Sequence, residues 1–266
     1  KGSDFYPDIT ISKGIINDPG NPREDLRPLL GSKLEVSAWI WCRTVKSPNP
    51  SFSKSDVPLI SNFFLSSKKG KEVFIELDIQ DGNFRPKVLK NSGQDLKGRN
   101  LSSGTKIPRA GGAFKCIYSG DTIPPEYIRA QACQGSLGHR LLAIVADSKK
   151  GRIFLAGNEE HQLRATSCPE TWKPSLAVPT PCHDVDRLPM YGMPLWGDAF
   201  TTRQRYGINL LIESIEELKN EIFAKASESM LSDSCENLPL SEGGCGPLAY
   251  SEAITVYLAC ILDRII

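Results

Sequence analysis

Apolar residues change their spacing once along this chain, and that change restricts the folds open to it. Between residues 33 and 155 they come in short runs separated by turn signals; from Thr201 onward they recur at helical spacing. Lys33 to Val45 carries Leu34, Val36, Ala38, Trp39, Ile40 and Trp41, which suits a largely buried strand. Val57 to Leu65 and Glu72 to Ile79 read as two more strands, joined by the turn-like Ser66-Ser67-Lys68-Lys69-Gly70-Lys71. Asp81-Gly82-Asn83 predicts a hairpin between Phe74–Ile79 and Phe84–Leu89, because a two-residue turn needs positive φ. Ala113 to Tyr118 runs into the turn Ser119-Gly120-Asp121, and Leu141–Ala146 pairs with Arg152–Leu155 about residues 147–151.

After residue 157 the period lengthens. Asn158 to Ala165 reads as a short helix, and residues 166–200 hold six prolines and read as an extended strip. Thr201 and Gln204 form a capping box that opens a helix over about 202–226, with Ile208, Leu211, Ile212, Ile215, Leu218 and Ile222 on one stripe. A polar loop covers 227–246. Pro247 then opens an apolar helix over 247–266 that expects a partner. Residues 1–30, broken by Pro7, Pro19, Pro22 and Pro28, read as a linker with room for one short helix. The expected class is therefore α+β: a linker (1–30), a β-rich module (31–157) and a helical section (158–266).

Charge divides at the same place. The net charge of +1 conceals 24 Lys+Arg against 15 Asp+Glu in residues 1–155, and 8 against 16 in the rest. A basic β-rich half beside an acidic helical half points to nucleic acid for the first, or to the two halves packing together. No apolar run is long enough to span a bilayer, and the first residues do not read as a signal peptide, so the expected location is the cytoplasm. The eight cysteines (42, 116, 133, 168, 182, 235, 245 and 260) are irregularly spaced with no CxxC pair, which in a cytosolic chain reads as free thiols. Lys1 at the start, and Ile265-Ile266 closing a helix that has no stop signal, read as cut ends.

Catalytic chemistry finds no foothold. Gly111-Gly112 and Gly243-Gly244 do not sit between a strand and a helix as a cofactor turn must. Pro124-Pro125 precedes Glu126-Tyr127, but Ile123 stands where a base-accepting loop needs a polar residue, so a rigid turn ending a strand is the reading. His161, Cys168, Cys182 and His183 match no zinc spacing, and His161 reads as a surface residue of its helix. Nothing activates a cysteine nucleophile. Clustered cations are the best local signal: Lys68, Lys69 and Lys71 on one hairpin tip and Arg85 and Lys87 on the next strand, with Lys46, Arg129 and Arg140 elsewhere in the basic half.

Six strings, in order, carry a resemblance: VSAWIWCRTVKSPNP (36–50), PLISNFFLSSKKGKE (58–72), KCIYSGDTIPPEYIRAQ (115–131), GHRLLAIVADSKKGRIFL (138–155), YGMPLWGDAFTTRQ (191–204) and LAYSEAITVYLACILDR (248–264). Together they resemble the central region of adenine-specific DNA methylases that carry a zinc-ribbon-like insert, a family catalogued through an N-terminal domain of unknown function. The resemblance implies an internal fragment of a larger Rossmann-type enzyme that transfers a methyl group from S-adenosylmethionine to adenine N6. It places the cofactor glycine motif upstream of this chain and the Asp-Pro-Pro-Tyr motif downstream, so this chain would bind no cofactor and be inactive alone. Its partners would be DNA, the methyltransferase core of the same polypeptide, and subunits of a restriction or phage-defence complex. Where relatives carry paired cysteines, this chain has Ser47 to Ser53 at the first knuckle and only Cys116 at the second, which implies a ribbon without metal.

The expected role is DNA engagement through Lys68, Lys69, Lys71, Arg85 and Lys87, with Arg203 and Arg205 as weaker candidates. Those two arginines open a helix, where a cation is disfavoured unless an anion is near. A protein-docking insert is the main rival, suited to the acidic section and the proline-rich strip. A free-standing hydrolase ranks last.

Overall fold

Asp81 and Gly82 both have positive φ, 47° and 74°, and Gln80 faces Asn83 across them. This two-residue turn joins the antiparallel strands Val73–Gln80 and Asn83–Lys90, as Asp-Gly favours. The structure is a computed structural model that describes residues 4–91, 104–149, 151–179, 188–229 and 238–266. It is a mixed α/β chain with eleven strands and five α-helices among those residues.

In chain order these are β1 (Ile9–Thr10), α1 (Lys13–Ile16), β2 (Lys33–Leu34), β3 (Val36–Lys46), β4 (Asp56–Leu59), β5 (Phe64–Ser66), β6 (Val73–Gln80), β7 (Asn83–Lys90), β8 (Phe114–Lys115) and β9 (Thr122–Ile123). Then follow α2 (Pro125–Cys133), β10 (Gly138–Ser148), β11 (Gly151–Ala156), α3 (Glu159–Thr166), α4 (Thr202–Ser229) and α5 (Pro247–Ile265). A four-stranded sheet in the order β11-β10-β3-β4 and a three-stranded sheet, β5-β6-β7, hold the core. Leu141 to Ala146 are all buried, because β10 has cover on both faces. Leu141 and Ile144 meet the N-terminal segment, while Leu142 packs with Ile75 and Phe84 of the smaller sheet. A strand covered on both sides reads as a continuous apolar run rather than an alternation.

Two compact units share the chain: residues 3–167 with 174–199, and residues 168–173 with 200–266. The β-rich unit thus takes in α3 and the strip 174–199, both expected with the helical section. Arg43 holds that strip by donating to the Asp198 carbonyl at 3.1 Å, and Arg129 donates to that of Met190 at 2.9 Å. In the other unit α4 and α5 pack on each other, joined by Lys219–Glu252 at 3.4 Å. The capping box at Thr201 forms in both directions, Thr201 N–H to Gln204 Oε1 at 2.9 Å and Gln204 N–H to Thr201 Oγ1 at 3.3 Å.

Five expectations need correction, the last of them the reading of every cysteine as a free thiol. The stretch read as a linker is core: Ile9, Ile11, Ile16 and Leu26 are buried with Leu141 and Leu155, each side chain contributing about 1.5–3 kcal/mol by burial. Its prolines break helices without preventing a short strand and two helical turns. The Val57–Leu65 strand splits into β4 and β5, because Thr105 and Lys106 take the Ile60 carbonyl and Thr105 Oγ1 takes its N–H. Pro124-Pro125 ends β9 but also starts α2, with Pro125 at the first helical position and Ile128 buried beneath it. His161 is buried rather than exposed, and accepts the Trp39 indole N–H at 2.9 Å.

Cys42, Cys116, Cys133, Cys168 and Cys260 are free, whereas Cys245 is disulfide-bonded, a state rare in reducing compartments. Spacing alone does not reveal which thiols meet in space. Cys182, His183 and Cys235 lie outside the described residues.

A pH effect follows from β10. Arg43 Nη1 lies 2.6 Å from His139 Nε2, and burial together with the Arg43 charge holds His139 at about 4 against its ordinary 6.5. The unfolded chain therefore binds the proton first. The stability contributed by neutral His139 is complete above pH 6.5 and is lost as pH falls toward and through 4. One proton limits the slope to about 1.4 kcal/mol per pH unit, and the partial exposure of the ring leaves roughly half of that. Urea unfolding at pH 7 and pH 5 should show this loss, and His139→Gln should reduce it.

Candidate nucleic-acid interface

The β5–β6 connection is built to project cations. Gly70 adopts φ 74°, Lys71 N–H closes on the Lys68 carbonyl at 2.8 Å, and Ser66 Oγ accepts from Lys68 N–H at 3.5 Å. The tip thus points Lys68, Lys69 and Lys71 into solvent, and none of the three forms an ion pair among the described residues. Glu72 stands at its base: its carboxylate accepts from the Glu72 and Gly70 N–H groups and from Asn91 Nδ2 at 3.3 Å, and these bonds with the Lys69 charge hold its pKa below the ordinary range.

The other four candidates are each paired or buried. Arg85 pairs with Asp18 at 2.6 Å, and Lys87 pairs with Asp78 at 2.9 Å on the neighbouring strand. Both side chains lie against Gly20, where an added Cβ would stand 3.2 Å from Arg85 Nη1. They fasten the N-terminal segment to β7. Arg203 is buried. Arg205 is engaged by Glu170 at 2.6 Å and by the Phe200 carbonyl at 3.1 Å, and this carboxylate is the anion that the helix opening required. Of seven candidates, the three tip lysines are the ones exposed without an ion pair among the described residues.

Two further groupings unite residues distant in sequence. The turn after β3 and the turn between β8 and β9 meet at Ser47 Oγ and Cys116 Sγ, 3.4 Å apart and buried. Asn49 Nδ2 donates to Asp121 Oδ2 at 2.8 Å beside them, and the rings of Phe52 and Tyr118 stack at 5.7 Å. Burial raises the Cys116 pKa, but hydrogen bonds from Ser119, Ser47 and the backbone at 118 and 119 bring it below the ordinary thiol value. No group of three potential metal ligands gathers among the described residues.

The second grouping is a cleft of about 930 Å³ within the β-rich unit, walled by α1, the β6–β7 turn, Tyr118, β10 and the start of α3. Arg140 lies over the Phe84 ring, 5.8 Å from its centroid, and both line the cleft. Sequence reasoning noted Arg140 only as one cation among many. Nothing in its local pattern signals a cleft assembled from segments as distant as residues 9 and 162. Searches of protein-family models, curated proteins and solved structures return no match to this chain. Among the described residues no helix is long and apolar enough to cross a membrane.

Proposed function

We propose that this chain is the DNA-engaging, target-recognition-like region of an S-adenosylmethionine-dependent DNA adenine N6-methyltransferase, with the β5–β6 tip resting on the phosphate backbone. The single observation that supports DNA contact is the tip: three exposed lysines that form no ion pair among the described residues, beside a strand whose Arg85 and Lys87 are paired with Asp18 and Asp78. In this reading the turns about Ser47 and Cys116 are the two knuckles of a zinc-ribbon-like module in which hydrogen bonds stand where metal would. Cofactor and catalytic groups belong to the rest of the enzyme. The role of this region is to hold DNA while the methyl transfer proceeds elsewhere.

A second reading, docking to protein subunits of a restriction or defence complex, is favoured by α5. Tyr250, Val256, Tyr257 and Ile261 are all exposed on that helix. The same surface serves the first reading if it packs on the methyltransferase core.

Duplex binding by fluorescence anisotropy across a salt series separates the two. Wild-type affinity should fall linearly with log salt, and Lys68→Gln/Lys69→Gln/Lys71→Gln should lower that slope by about 3 while weakening binding to all sequences alike. A folded chain with no affinity for duplex, or a slope indifferent to these changes, sinks the DNA reading and leaves docking.

A further inference from the structure

The cleft holds one cation that the fold does not use. Arg85 is taken by Asp18, and Arg23 by Asp25 at 2.8 Å. Arg140 differs: its guanidinium lies over Phe84, and no hydrogen bond or ion pair of that side chain exists among the described residues. A planar fork laid on an aromatic ring keeps its edge donors free for a flat acceptor. Tyr118 brings a second aromatic ring to the same cleft, its hydroxyl donating to the Asp56 carbonyl at 3.0 Å.

The acidic groups decide the ligand class. Asp81 and Glu159 line the cleft and form no ion pair among the described residues. Uncommitted carboxylates oppose a phosphate dianion but accept readily from N–H donors. A ligand suited to this lining is uncharged and planar, with acceptors on one edge and donors on another. Guanine has that pattern: O6 and N7 match an arginine fork, and N1–H with the exocyclic amine matches a carboxylate. The volume, about 930 Å³, also exceeds what one base needs.

We propose that this cleft binds a single unstacked guanine base, with Arg140 reading the O6/N7 edge and Asp81 or Glu159 accepting from the opposite edge. The proposal rests on the nucleic-acid reading above, and it adds base recognition to a surface that otherwise grips only phosphate.

The test uses the whole chain and free nucleosides, followed by isothermal titration calorimetry and ligand-observed NMR. Guanosine should bind at least about tenfold more tightly than adenosine or cytidine, since one bidentate pair discriminates by that much or more. Arg140→Lys keeps the charge and the ring contact but loses the fork, so it should remove the preference with unchanged thermal unfolding. The triple tip variant should still bind guanosine, which keeps this result independent of duplex affinity. Three outcomes overturn the proposal: no guanosine binding by folded protein, equal binding of adenosine, or a preference that survives Arg140→Lys. Binding of inorganic phosphate or dGMP without guanosine would mark an anion site and overturn it equally.

Discussion

Asp25→Ala should destabilise the β-rich unit by about 2–3 kcal/mol, although it changes a residue that the sequence places in a linker. Asp25 grips Arg23 with both oxygens, Nε to Oδ1 at 2.8 Å and Nη2 to Oδ2 at 3.1 Å, and Lys90 of β7 also donates to it. The Arg23 side chain is only 6% exposed, and its Nη1 donates to the Phe154 carbonyl at 2.5 Å on β11. Removing the carboxylate leaves a buried guanidinium without its counter-charge, a change costing about 3–5 kcal/mol when both partners are buried. Asp25 is 36% exposed, and water near the vacated site lowers that figure. Burial raises the Asp25 pKa, but the bonds from Arg23 and Lys90 outweigh it and hold the group at about 2 against its ordinary 3.8. The native state therefore favours the ionised form, and its contribution is complete above pH 3.8 and lost as pH falls through 2. Urea unfolding at pH 7 measures the effect. Lys90→Met, which removes only a surface partner, should cost less than about 1 kcal/mol. A neutral Asp25→Ala would mean that residues 9–30 are not part of the cooperative unit.

What could be read from sequence, and what could not, divides by range. Asp81-Gly82 gave the hairpin and its register because positive φ is a local demand of two adjacent residues. Thr201 with Gln204, and Pro247 at the start of α5, were legible for the same reason. The lysine tip was legible because its cations are neighbours in the chain. The pairing of Arg85 was not legible, because Asp18 lies 67 residues away and a run of cations says nothing about which carboxylates the fold will bring to them. The pairing of Arg205 was hidden for the same reason: Glu170 reaches α4 from 35 residues upstream. The core role of residues 9–30 was hidden because four buried aliphatics spread among prolines and glycines show no period. The cleft about Arg140 had no signal at all, being a product of tertiary arrangement.

The two turns about Ser47 and Cys116 invite the opposite experiment, in which a function is installed. Ser47→Cys/Ser119→Cys should create a metal site where the present chain offers one thiol. Ser47 Oγ already lies 3.4 Å from Cys116 Sγ, and the Ser119 side chain also bonds to that sulfur. Two thiols at these positions would meet the third within the span of a single tetrahedral ion, leaving a fourth position to water, as in open zinc sites. Backbone N–H groups at 118 and 119, which already lower the Cys116 pKa, would favour the thiolate that a metal needs. Cobalt titration should therefore yield thiolate charge-transfer and tetrahedral bands in the double variant and none in the parent chain. Zinc at a hundredfold excess over its dissociation constant should stabilise the variant by about 2.7 kcal/mol, which for a unit of this size raises Tm by roughly 5–10 °C. A folded variant that binds neither ion would show that the turns do not converge on a common centre, and the ribbon reading would fall with it. Binding by Ser47→Cys/Ser119→Cys would show that the hydrogen-bonded trio occupies the geometry of a metal centre, held in this chain by two hydroxyls, one thiol and the Phe52–Tyr118 stack.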